Sequence, residues 1–364
     1  MKIKDIISCL ESFAPLSFQE SYDNAGLITG DPERTLESVL LSIDVTEDVI
    51  DEAISLGAGL IISHHPVLFT AIKKITGNHY VERCLIKAIR NDIALYAMHT
   101  NVEAVKEGVN RIICTKIGLE NTRILMPRQE ELRKLVFFVP PDHARAVREK
   151  IFEAGAGVIG NYDQCSFNAP GEGTFRGSEE TNPYVGKKGE LHFEKELRVE
   201  TIYPKYRQPA VISALLEAHP YEEVAYDIYP LENHYYGAGL GMIGQLPEPV
   251  DEVYFLEHIK NKFSSRIIRH SRLLKRKIQT IAVCGGSGSS LLKEAIRQGA
   301  DLLLTADLKY HQFFDADGKI VVADIGHYES EQFTTEIFHE ILFKNFPNFA
   351  VHFSEINTNP VNYS

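Results

Sequence analysis

Residues Leu60–Phe69 read LIISHHPVLF: an apolar run, two histidines, a proline, and a return to apolar side chains. An uninterrupted apolar run of that length, closed by polar residues and proline, predicts a strand buried on both faces rather than one alternating between core and water. The same pattern recurs outward from it in both directions. SVLLSID ends at Asp44, IALYAM at Met98, TIAVC at Cys284, DLLLT at Thr305 and KIVVAD at Asp324. Each is followed by a polar or glycine break and a stretch with helical spacing. Doubly buried strands separated by helices predict an α/β fold, with a mostly parallel sheet flanked by helices.

The middle of the chain differs. After LRKLVFFVP comes a helical stretch from Asp142 to about Ala154, then a stretch rich in Gly, Asn and Pro. ELRVETIYP, a helix ending near His219 and PYEEVAYDIYPLE follow. Strand, helix, long hairpin region, strand, helix, strand is the order of a split βαβ, ferredoxin-like α+β unit. The predicted organisation is a discontinuous α/β domain over residues 1–128 and 236–364, with an α+β domain inserted over 129–235. The segment HYYGAGLGMIGQLPEP, dense in glycine and proline, reads as the connection back into the first pattern.

Composition narrows the function classes. Of 364 residues, 38 are Lys or Arg and 50 are Asp or Glu, a formal net charge of −12. That balance argues against wrapping nucleic acid or lying on an anionic membrane, and it suits the holding of cations. Apolar residues at 44% and charged residues at 24% are those of a folded globular chain, not a disordered one. The five cysteines, Cys9, Cys84, Cys114, Cys165 and Cys284, are scattered and form no CxxC pair. A disulfide framework or a thiolate zinc site is therefore not expected, and a reducing cytoplasm is. The opening MKIKDIISCLESFAP reads as an amphipathic helix rather than a signal peptide, and the longest apolar runs are too short to span a bilayer.

In parallel α/β sheets ligands gather beyond the carboxyl ends of the strands. The side chains placed there are Asp44; Ser63, His64 and His65; His99, Thr100, Asn101 and Glu103; Gly285 to Gly288; Asp307 and His311; and His327 and Glu331. Nearly every strand thus ends in a residue able to hold a metal or a phosphate. Singly, each motif is weak. Among fourteen histidines an adjacent pair such as His64-His65 is close to chance. His327 and Glu331, at i and i+4 of a helix, can grip one ion from one helical face, or can simply be a solvated first turn with an acid near the dipole. His64 and His65 diverge, so two neighbouring ions could take one each, with Glu331 or Glu103 bridging, an arrangement that generates a hydroxide. Imidazole and carboxylate ligands without thiolate suit Zn, Mn, Fe, Co or Ni. His99, Asp307 and His311 are read as groups supporting the ligands from behind. GGSGSS after Cys284 could cradle a phosphate or could be a tight strand–helix turn; it fits neither GxxxxGK[ST] nor GxGxxG. Asp23 and Asn24 are too polar for a core and too isolated to interpret.

The strings ESYDNAGLITGD, LIISHHPVLF, YAMHTNVEAVKEGVN, GLGMIGQL, VCGGSGSSLL, TADLKYHQ and DIGHYESEQ, in this order, resemble the GTP cyclohydrolase 1 type 2 (Nif-three-like) family. The resemblance covers about residues 1–128 and 236–364. The middle, with GNYDQCSF, GEGTF, TNPYVG and HPYEEVAYD, is similar to the PII/CutA-like domain inserted in the longer members. The resemblance implies two divalent metal cations per subunit, with His64, His65, His327 and Glu331 as ligands and Glu331 bridging. It also implies a toroidal homohexamer. The family's HTNLD pattern reads HTNVE here, so Glu103 takes the place of an aspartate as fifth ligand and must reach with one more methylene. Ala306 stands where the family usually has glycine, a difference for packing rather than chemistry. The activity implied is metal-dependent hydrolysis of a nucleotide-like or phosphate-containing molecule, through metal-activated hydroxide. The alternative is a non-catalytic protein that handles metals or senses a small molecule through its inserted domain.

Overall fold

One strand–helix unit shows how the alternation is built. In the computed structural model, which describes residues 1–364, Ser38–Ser42 is a strand with every residue buried, and the helix Glu47–Leu56 follows it. Thr46 caps that helix, its hydroxyl accepting from the Val49 N–H, and Gly57 ends it at φ +67°. Val49, Ile50 and Ala53 face inward against Leu40, Ile61 and Leu95 of the sheet. Each fully buried Val, Ile or Leu contributes roughly 2 kcal/mol relative to exposure.

The strands, in chain order, are β1 (Gly26–Thr29), β2 (Ser38–Ser42), β3 (Leu60–Ser63), β4 (Ala94–Ala97), β5 (Glu120–Arg128), β6 (Leu132–Val139), β7 (Phe167–Phe175) and β8 (His192–Pro204). They continue as β9 (Tyr226–Leu231), β10 (Tyr235–Asp251), β11 (Arg269–His270), β12 (Lys277–Ser287), β13 (Leu302–Ala306), β14 (Val321–Asp324) and β15 (Ala350–Phe353). The chain divides into two compact units, residues 1–127 with 236–364 and residues 128–235.

The first unit holds two sheets. One has the order β1-β4-β3-β2-β15, with β15, β2, β3 and β4 parallel and β1 antiparallel at the edge. Its last strand comes from the far end of the chain, so both chain segments build this layer. The helix Thr334–Asn345, with Phe338 and Leu342 buried, packs on β2. The other sheet has the order β11-β14-β13-β12-β10-β5. Only β12, β13 and β14 run parallel; β10 and β11 pair antiparallel to them. The expectation of a mostly parallel sheet therefore describes the first sheet and not the second.

The reason lies in Tyr235–Asp251, the Gly- and Pro-rich segment read from sequence as a connection. It is a strand. A Cβ at Gly239 would sit 2.3 Å from the Met126 carbonyl oxygen, and one at Gly244 would sit 2.9 Å from that of Glu120. The glycines permit close approach of β5, so composition that normally breaks a strand here belongs to one.

In the second unit β6 to β9 form a wholly antiparallel sheet in the order β7-β8-β6-β9. The helices Ala144–Glu153 and Gln208–Ala218 pack on each other, and their Val147, Ile151, Val211 and Leu215 meet Leu135, Phe137 and Val199 of the sheet. That order is the split βαβ arrangement. No helix of the protein is long and apolar enough to cross a membrane.

Candidate metal centre

The strand ends of the first unit place the polar residues. His64 and His65 leave β3, and their N–H groups donate to the carbonyls of Ser42 (3.2 Å) and Ile43 (2.9 Å). His99 follows β4; its N–H donates to the Asn101 side chain at 2.9 Å, and Asn101 in turn donates to the Ala14 carbonyl at 2.7 Å. The short helix Thr100–Ala104 then presents Glu103. Gly326, at φ +97°, turns the chain from β14 into the helix His327–Glu331. A side chain there would also strike Glu329.

These elements bring His64, His65, Glu103, His327 and Glu331 together. The Glu331 carboxylate lies 3.0 Å from His327 Nε2, 3.1 Å from His65 Nε2 and 3.5 Å from His64 Nε2. Glu103 Oε1 lies 3.5 Å from His64 Nε2 and 3.7 Å from His99 Nε2. Two triads able to hold an ion result, His65 with His327 and Glu331, and His64 with Glu103 and Glu331, and Glu331 belongs to both. His99 joins His64 and His65 in a third grouping. It therefore stands closer to the centre than a supporting role behind the ligands requires. The Glu103 side chain reaches the cluster, so this position keeps a carboxylate within range.

Every imidazole is held from behind. His64 Nδ1 donates to the Met98 carbonyl (2.9 Å), His65 Nδ1 to Asp44 (2.7 Å), His99 Nδ1 to Asp23 (2.8 Å) and His327 Nδ1 to Asp307 (2.7 Å). A carbonyl or ionised carboxylate only accepts, so the proton is on Nδ1 and each neutral ring aims its Nε2 lone pair inward. His65 Nε2 and His327 Nε2 are 3.2 Å apart. Two lone pairs do not face each other at that distance without a proton or a cation between them. His64 Nε2 and Glu331 Oε1 are buried with no hydrogen-bond partner. The donor set and these two orphaned atoms fit a divalent cation bound by nitrogen and oxygen.

The electrostatics agree. Burial, the largest influence, favours neutral His64, yet the Glu331 and Glu103 carboxylates prevail and raise its pKa to about 10. Burial likewise opposes charge on His327, but Asp307 and Glu331 push it up to about 11. Burial works to raise Glu331, while His64, His327 and His65 hold it well below the usual carboxylate range. The pocket demands positive charge.

Other nominated residues separate. Asp307 sits at φ +56° and anchors His327. His311 is exposed, its ring 5.2 Å from that of Tyr310, and belongs to none of the metal-competent groups. The GGSGSS loop is no open phosphate cradle: the N–H groups of Gly285, Gly286 and Gly288 donate to Asn110, Ser330 and Thr305. It is a tight turn beside the centre, since a Cβ at Gly286 would lie 2.4 Å from Glu331 Oε1.

Asp23, uninterpretable in the sequence, accepts from His99 Nδ1, from the Thr100 N–H (3.1 Å) and from the Thr100 hydroxyl (2.5 Å). It lies 76 positions from His99, and no local spacing reveals the pair. Thr358, near the chain end, donates to Asp44 at 2.6 Å and so steadies the group behind His65.

Over residues 1–360 the chain matches the family model described as Duf34/NIF3 (NGG1p interacting factor 3). A Halalkalibacterium halodurans protein called GTP cyclohydrolase 1 type 2 homolog is 42% identical over 325 residues, covering 88% of this chain and 87% of its own. A Bacillus subtilis protein of the same name is 36% identical, covering 99% of this chain and 98% of its own. Among solved structures, a Bacillus cereus protein related to NIF3 superposes with a TM-score of 0.88 at 39% identity, over 100% of this chain and 99% of that one. With a match along nearly its whole length and relatives of this identity, the chain belongs to the Duf34/NIF3 family.

Proposed function

We propose that this protein binds a pair of divalent cations and is a metal-dependent hydrolase of a nucleotide-like or phosphate-containing substrate. The observation that carries the reading is Glu331: buried, common to both triads, and surrounded by three Nε2 atoms within 3.5 Å. His65 and His327 would hold one cation, His64 and Glu103 the other, and Glu331 would bridge. Such a pair lowers the pKa of water, polarises an electrophilic carbon or phosphorus centre, and screens the charge of a departing oxygen.

A cavity of about 380 Å³ adjoins the centre, lined by Asp44, His65, Arg269, His327, Tyr328 and Tyr363 among others. Arg269 pairs with buried Asp324. The remaining guanidinium N–H groups can orient a substrate phosphate, and the two tyrosine rings offer flat apolar surface to a base. His99, fixed by Asp23, presents Nε2 beside Glu103 as the position where a proton is taken up or delivered. The names of the homologues, GTP cyclohydrolase 1 type 2 homolog, support a purine nucleotide as the first substrate to try.

The test is turnover of a nucleotide panel by protein loaded with Zn, Mn or Fe, with metal content measured in parallel. His65→Ala should abolish turnover; activity that survives it sinks the reading. No turnover on the panel with rapidly exchanging metal would favour the second reading, metal handling, which the high charge demand of the pocket also motivates. The five free thiols suit a cytoplasmic setting. We propose two structural features besides. The unit Arg128–Tyr235 is a PII/CutA-like insert, for which the sheet order speaks, and deleting it should leave the metal content of the remainder unchanged. The assembly is a homohexamer, to be checked by mass in solution.

A further inference from the structure

The unit Arg128–Tyr235 contains a cavity of about 410 Å³ that the metal chemistry does not use. Phe138, Phe175, Tyr184 and Tyr221 line it together with Glu196. The Tyr221 ring is 6.3 Å from that of Phe175 and 6.1 Å from that of Tyr184, tilted by 55° and 44°. Those rings do not stack on one another, and all three line the cavity. Glu196 reaches in because Gly173 has no side chain: a Cβ there would lie 2.1 Å from Glu196 Oε2.

No neighbouring cation of the sheet answers the charge of that carboxylate. The neighbouring cations of the sheet, Lys134 and Arg198, are committed to Glu200 at 2.8 and 3.1 Å. His219 supplies no charge. Its Nδ1 accepts from the Tyr221 N–H, its Nε2 donates to the Phe138 carbonyl, and burial lowers its pKa. Glu222 and Glu223 add negative charge to the lining against one exposed cation, Arg176. The Tyr221 hydroxyl oxygen is shielded from solvent and lies beside Glu196; burial, and then that carboxylate, raise its pKa. A phenol oxygen placed there, with its O–H available to Glu196, has acceptor capacity to spare.

We propose that this cavity binds a small organic ligand with a primary ammonium group and a flat apolar body. The ammonium donates to Glu196 and to the Tyr221 hydroxyl, and the body lies among the aromatic faces. A carboxylate ligand is excluded by the acidic lining. A neutral aromatic would leave both polar groups as they stand.

Isothermal titration of the full chain with phenethylammonium, 2-phenylethanol and phenylacetate tests this. Phenethylammonium should bind at least about tenfold more tightly than either control. Glu196→Gln should remove that preference, and Tyr184→Ala, at an exposed rim position that leaves the fold intact, should weaken phenethylammonium by about threefold or more. Metal content should be unchanged in both variants. Equal binding of the alcohol and the ammonium, no binding of the ammonium, or full binding by Glu196→Gln or Tyr184→Ala would each overturn the assignment.

Discussion

Asp23 offers the sharpest test of how the centre is held. Its side chain is fully enclosed and accepts three hydrogen bonds from His99 and Thr100. Burial works to raise its pKa, but those hydrogen bonds prevail and lower it from 3.8 to about 2. A displacement of that size corresponds to roughly 2 kcal/mol of preference for the charged form in the folded state. Asp23→Asn keeps the shape and removes the charge. It should cost about 2 kcal/mol at neutral pH, since one amide hydrogen must face a donor. The sign of the pH dependence follows from the direction of the displacement. A depressed folded-state pKa stabilises above the unfolded value near 4, and that contribution is lost as pH falls toward about 2. Urea unfolding of metal-free wild type and variant, followed by circular dichroism because the chain has no tryptophan, should give a gap that is constant above about pH 5 and closes below pH 4. A gap that is absent at neutral pH, or that persists unchanged into acid, would refute the reasoning.

Three further outcomes are expected. Glu331→Gln, which removes the one carboxylate common to both triads, should lower bound metal from the proposed two ions per subunit to one or none by elemental analysis. Because carboxylates raise His64 to about 10 and His327 to about 11, cations must displace protons from the metal-free centre at neutral pH. Metal affinity measured against a competing chelator should therefore rise steadily from pH 6 to pH 9, with protons released on binding; a flat profile would count against these ligands. Gly286→Ala, at φ +58° and with its Cβ aimed at Glu331 Oε1, should destabilise the protein by about 1–3 kcal/mol and reduce metal content together. Unchanged metal binding would mean that Glu331 is not held where the structure has it.

The sequence alone determined the strand–helix alternation of both chain ends, because strands covered on both faces must be continuously apolar, as SVLLS, LIIS and ALYA are at one end and LLLTA and VVAD at the other. It also carried the motifs by which the family is recognised, and it nominated His64, His65, Glu103, His327 and Glu331, which sit just past strand ends or in the short helices that follow them. Local pattern did not carry the antiparallel half of the second sheet. There, glycines that look like a connection are the contact surface of β10 on β5, and that contact exists only after folding. Nor could it show that Asp23 locks His99, that Thr358 steadies Asp44, that His99 faces inward while His311 faces water, or that the GGSGSS amides are already engaged. Periodicity reports which face of an element is buried. Which distant acid meets which imidazole depends on how the layers stack, and hydrogen bonds spanning 76 to 314 positions leave no spacing in the chain to be read.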